Sequence, residues 1–134
     1  MSLMNIKYQG NFRTQALHID SKNQIITDAP KDNQGNGEAF SPTDLLSTSL
    51  ASCMLTIMAM KARSLNLELG EVEVKLEKKM VPAPRKVGEI VLHFDWKGLD
   101  QRLTSEQMGQ LKEAGLNCPV YLSLHPELKK TLHW

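Results

Sequence analysis

The chain has 134 residues, a formal net charge of +1, 41% hydrophobic residues and 23% charged ones. That length allows one domain with a real core, and the near-neutral balance predicts no attraction to nucleic acid or membrane. Two cysteines are too few for a secreted disulfide scaffold and no signal peptide is expected, so the reading is a cytoplasmic protein, where thiols stay reduced unless they do redox work.

Met1-Ser2-Leu3 reads as a vector scar before Met4, and residues 4–134 read as a single domain. Met4 to Tyr8 and Phe12 to Ile19 predict a hairpin turning at Gly10-Asn11, and Gln24 to Thr27 a third short strand. Asp28 to Phe40 is rich in Asp, Asn, Gly and Pro, the composition of a polar, mobile loop. Its Gly35-Asn36-Gly37 is not followed by Gly-Lys-Ser/Thr, which makes a phosphate cradle a poor reading.

Ser41-Pro42-Thr43-Asp44 is a helix start. Ser41 caps, Pro42 suits the first helical position, and Asp44 completes a capping-box-like arrangement. The helix is expected from Pro42 to about Leu65. Its apolar residues cover most of the circumference, which predicts burial on all sides. The uncharged run Leu45 to Met60 is shorter than the ~20 residues of a membrane span. Glu71 to Met80 alternates as a half-exposed strand, with Val72, Val74 and Leu76 on one face. Glu89 to Trp96 is its partner, with Ile90, Leu92, Phe94 and Trp96 inward. A second helix opens with a capping box at Thr104 to Gln107 and ends near Gly115. Cys118-Pro119 starts a short helical turn, and Leu128 to Trp134 is a closing strand. This order predicts an α+β fold with an antiparallel sheet.

The two cysteines sit in different settings. Cys53 lies in Leu50-Ala51-Ser52-Cys53-Met54-Leu55, about three turns into the long helix, beyond the reach of its dipole. Apolar surroundings there disfavour the thiolate, so a reactive Cys53 needs a cation from elsewhere. Arg13, on the second strand and on the same face as Gln15 and Leu17, is the candidate. Cys118, in Asn117-Cys118-Pro119-Val120, meets free amide donors at a helix start, which favours its thiolate and a surface or cleft position. Both cysteines also fit the ordinary role of core filler. The histidines, His18, His93, His125 and His133, are scattered without metal-ligand spacing, and no metal or organic cofactor is expected.

Ser41-Pro42-Thr43-Asp44-Leu45-Leu46, Leu50-Ala51-Ser52-Cys53-Met54 and Asn117-Cys118-Pro119-Val120 with Ser123-Leu124 together resemble the OsmC/Ohr family. The resemblance spans nearly the whole chain. It implies an intertwined homodimer, in which each sheet wraps around two central helices, and a thiol-dependent reduction of organic hydroperoxides reset by an external dithiol. By motif, Cys53 matches the peroxidatic cysteine, Cys118 the resolving one, and Arg13 the arginine that activates the thiolate. The family's arginine-orienting Glu, ten residues before the first cysteine, is Thr43 here. Asp44 is adjacent but turned roughly 100° away on the helix. Glu38, reaching in from the loop, or Asp44 is the carboxylate that would stand in for that Glu. A thiol–disulfide reductase and a redox-sensing or small-molecule-binding dimer are the alternative readings.

Overall fold

The computed structural model describes residues 1–134, which form two compact units, Met1–Leu46 and Ser47–Trp134. The first unit is a meander of β1 (Met4–Gly10), β2 (Arg13–His18) and β3 (Gln24–Asp28), antiparallel throughout. Gly10 pairs with Arg13, so the β1–β2 turn is the two residues Asn11 and Phe12. Both have positive φ, 51° and 61°, the signature of the turn whose twist matches a hairpin. A bulky residue such as Phe12 adopts this region at a cost. The turn is held by the Tyr8 hydroxyl, which accepts from the Phe12 N–H at 3.2 Å, and by the Phe12 carbonyl, which accepts from the Ala29 N–H at 3.0 Å. Arg13 is thereby fixed as the first residue after the turn.

In this sheet Ile6, Ala16 and Ile25 form one cross-strand row. Met4, Ile6 and Tyr8 share a face of β1 by alternation, and with Ile25 they are exposed. The loop after β3 carries more backbone bonding than its polar composition suggests. Asp28 N–H donates to the Phe40 carbonyl, Gly35 N–H to Pro30 and Gly37 N–H to Ala29. A Cβ on Gly35 would lie 1.6 Å from the Ala29 carbonyl oxygen, so only glycine closes this loop.

The long helix α1 spans Pro42–Ser64 and contains the boundary between the units. Its start is a reciprocal cap: Ser41 Oγ accepts from the Asp44 N–H at 3.0 Å, and Asp44 Oδ2 accepts from the Ser41 N–H at 2.9 Å. The burial on all sides that the apolar pattern implies is not reached within one chain. One stripe is buried, Ser47, Leu50, Met54, Met58 and Ala62, while Leu46 and Met60 are 40% and 62% exposed. Spacing of three and four residues puts the buried set on a single face.

The second unit continues with β4 (Glu73–Pro82), β5 (Arg85–Asp95), α2 (Ser105–Leu116), α3 (Pro119–Ser123) and β6 (Lys129–His133). The sheet order is β4-β5-β6. β4 and β5 pair antiparallel, as their alternation predicts, but β6 lies parallel to β5, with Leu132 opposite Leu92. The closing strand exists, and this sheet is mixed rather than antiparallel. The segment between β5 and β6 contains two helices, long enough for a crossover that returns in the same direction. Ile90 and Leu92 are fully buried, and Val91 on the opposite face of this central strand is nearly so. The predicted capping box is present at Thr104 and Gln107.

The core of this unit gathers Leu50, Met54 and Met58 of α1, Ile90 and Leu92 of β5, Leu111 of α2 and Cys118. α2 approaches α1 at Gly115, where a Cβ would meet Met58 Sδ at 3.0 Å and Met54 Cε at 3.2 Å. This close approach matters because Cys53 precedes Met54 and Cys118 follows Gly115 by three residues.

Candidate active site

The second unit brings the two cysteines together. Cys53 is half-buried on α1, and Cys118 is fully buried as the N-terminal cap of α3. Pro119 at the first helical position starts that helix, and the Cys118 Sγ accepts from the Tyr121 N–H at 3.3 Å. Cys118 belongs to the buried core of this unit, Cys53 packs against that core, and Cys53 is near enough to act on the ionisation of Cys118. Residues 65 positions apart in sequence therefore form a pair, both free thiols.

The expectation of a cleft position and a lowered pKa for Cys118 is corrected. Burial pushes the Cys118 thiol above its ordinary value, and the neighbouring Cys53 sulfur pushes the same way. The amide donors foreseen from the sequence are there, at Tyr121 and Val120, and pull downward, but desolvation outweighs them. Cys118 thus stays protonated at neutral pH.

The first unit builds a second cluster around Arg13. Its guanidinium meets Asp28 edge-on: Nε to Oδ1 at 2.7 Å and Nη2 to Oδ2 at 2.8 Å. Nη2 also reaches Glu38 Oε2 at 2.9 Å. The expected Glu38 contact is present. Asp44, the other candidate, caps Ser41. The Thr43 hydroxyl lies 3.1 Å from Ser41 Oγ. Asp28 is 1% exposed against 68% for Glu38. The Arg13 hydrogen bond, helped by the backbone N–H groups of Glu38 and Ala39, holds the Asp28 carboxyl below the usual range against the opposing effect of burial. The same two carboxylates, Asp28 first, raise Arg13 further above its already high value, so it is a permanent cation.

Asp28 was missed by the sequence reading. The signal was available: β2–β3 register sets Asp28 directly opposite Arg13, and opposite charges facing across strands attract. A groove of about 550 Å³ along α1, lined by Leu55, Ala59, Met60 and Val72 among others, contains neither thiol.

An α+β chain with a thiol pair seated between a long apolar helix and the cap of a short one defines a class of dithiol proteins. The chain belongs to the OsmC-like protein family, whose model matches residues 35–133. Among solved structures it is similar to a candidate osmotic stress induced and detoxification response protein from Psychrobacter arcticus. The two are 44% identical with a TM-score of 0.88, and the match covers 99% of this chain and 95% of that one. The fold is also shared with an organic hydroperoxide resistance protein OsmC from Legionella pneumophila, at 19% identity, TM-score 0.75 and coverage of 99% and 95%. A third match is the organic hydroperoxide resistance protein OhrB of Bacillus subtilis, at 16% identity, TM-score 0.63 and coverage of 99% and 96%. No curated protein matches the chain.

Proposed function

We propose that the protein is a thiol-dependent peroxidase that reduces organic hydroperoxides in the cytoplasm. The observation that carries the reading is that Cys53 and Cys118 share one core, with Cys53 near enough to act on the Cys118 thiol. The Cys53 thiolate attacks the outer oxygen of the hydroperoxide. The S–O bond forms, the O–O bond breaks, and the leaving alkoxide takes a proton to become the alcohol. Cys53 is left as a sulfenic acid. The Cys118 sulfur then attacks it, forming the disulfide and releasing water, and an external dithiol returns both thiols at the cost of its own oxidation.

The electrostatics favour that order. Burial first, and after it the neighbouring Cys53 including its charge, raise the Cys118 pKa, so the second thiol waits in its protonated form. Conversion of Cys53 to the neutral sulfenic acid removes that charge and eases ionisation of Cys118. Arg13, from either copy of a dimer, is the cation assigned to Cys53 and to the developing charge on the leaving oxygen. A site walled by apolar helix residues favours alkyl hydroperoxides, since each buried methylene contributes ~0.8 kcal/mol.

A homodimer is part of the reading. The uncovered apolar face of the first sheet and the exposed side of α1 support it, because large exposed apolar patches mark interaction sites. Steady-state turnover with cumene hydroperoxide and a dithiol tests the function. Cys53→Ser should abolish turnover, and a wild-type protein that consumes the dithiol only with disulfide substrates would overturn the peroxidase assignment.

A further inference from the structure

We propose that Asp28 is the positioning residue for Arg13. Its buried carboxylate grips the Nε–Nη2 edge of the guanidinium and so fixes the plane and direction in which the remaining donors are presented. This rests on the reading of Arg13 as the cation that serves Cys53.

Several observations converge on Asp28 rather than Glu38. A guanidinium is a planar fork with five donors, and a carboxylate facing two of them in parallel fixes the plane as well as the position. Asp28 makes that paired contact at 2.7 and 2.8 Å, whereas Glu38 makes one contact from a side chain that is largely exposed. Asp28 is also held from behind, by the Glu38 N–H on Oδ2 at 3.0 Å and by the strand register opposite Arg13. The loop that carries Glu38 is thus organised around Asp28, and not the reverse. Together the contacts to Asp28 and Glu38 engage Nε and Nη2. A carboxylate on β3 in this way takes over the orienting task at a site where Thr43 carries no charge. Burial of the carboxylate makes the arrangement sensitive: Asp28 is buried and Arg13 half-buried, and such a pair loses both its charge balance and its geometry when the buried partner is neutralised.

The test is alkylation of Cys53 by iodoacetamide as a function of pH in a Cys118→Ser background, alongside the rate of sulfenic acid formation at pH 7. Asp28→Asn is expected to move the alkylation midpoint upward by ~1 unit and to slow sulfenic acid formation ~10-fold, since only the thiolate attacks. Glu38→Gln should change either readout less than ~3-fold, as expected for an exposed ion pair. In an Arg13→Ala background Asp28→Asn should add nothing, because its effect runs through the guanidinium. An unchanged midpoint in Asp28→Asn with a shifted one in Arg13→Ala would overturn the role of Asp28 and leave that of Arg13 standing. An equal further loss on top of Arg13→Ala would overturn it too, by showing that Asp28 acts on the fold. Unchanged readouts in Arg13→Ala itself would remove the cation assignment and this inference with it. Should the Asn variant fail to fold, Asp28→Glu keeps the charge but misaligns the fork, and carries the same comparison with an intermediate loss expected.

Discussion

Two glycines in α2 respond to alanine with opposite signs if α1 and α2 approach as described. Gly109 is exposed, with nothing near its added Cβ. Gly109→Ala therefore gains helix propensity alone, ~1 kcal/mol. Gly115 is buried, and its Cβ would press on Met58 Sδ at 3.0 Å and Met54 Cε at 3.2 Å. Both methionines are fully buried, so they have little room to yield. Overpacking of this kind costs ~1–3 kcal/mol, against a propensity gain of up to ~1 kcal/mol near the helix end. The net expectation for Gly115→Ala is a loss of ~1 kcal/mol, and for Gly109→Ala a gain of about the same size. For a chain of this length that is a Tm shift of roughly 3–5 °C in each direction. Thermal and urea melts of the reduced protein read it directly. Gly115→Val, a larger wedge, should also slow formation of the Cys53–Cys118 disulfide. Equal stabilisation by alanine at both positions would refute the close approach of the helices, and with it the account of why the two thiols meet.

Glu89 is bonded by the Thr131 hydroxyl, Lys79 and Lys129, which lower its pKa from 4.5 to about 2. A depressed carboxyl stabilises the fold above its unfolded value, and that contribution is lost as pH falls from 4.5 toward 2. Glu89→Gln should therefore lower Tm at pH 7 and match wild type near pH 2; a gap that ignores pH would contradict the ion network. Sedimentation should give a dimer at micromolar concentration, and Ile6→Glu with Tyr8→Glu should shift it toward monomer, whereas a monomeric wild type would sink the assembly. Thr43→Glu places a carboxylate where the resembled family carries one. With Asp28 present it should change peroxide turnover little, but in an Asp28→Asn background it should restore much of the loss, and failure to restore would mean that the two positions do not serve the same guanidinium.

Most elements were legible because local chemistry dictates them. Ser41 and Asp44 announce the start of α1, Thr104 and Gln107 the start of α2, and alternation from Val72 to Leu76 the face of β4. The direction of β6 was not legible. Lys129–His133 has the same alternation whether it pairs parallel or antiparallel, and only the packing of α2 and α3 decides. Composition reports what a helix can bury and not how much of it one chain covers, and within one chain α1 buries a single stripe. At the site, the sequence singled out both cysteines and Arg13, and of the two carboxylates it offered, Glu38 and Asp44, it is Glu38 that contacts Arg13. It misjudged Cys118 because a cap position was weighed by its amide donors alone, without the desolvation that full burial imposes. Asp28 escaped because it was assigned to a polar loop; one residue more in β3 makes it the cross-strand partner of Arg13.

The central claim is that Cys53 and Cys118 act as one redox pair toward a hydroperoxide. The most direct measurement treats fully reduced protein with one equivalent of cumene hydroperoxide, blocks remaining thiols with an alkylating agent, and reads the intact mass. The account predicts a product two hydrogens lighter with neither cysteine alkylated. It also predicts that Cys118→Ser stops at a Cys53 sulfenic acid that dimedone captures. Full alkylation of both cysteines after the peroxide has been given time to react would contradict it.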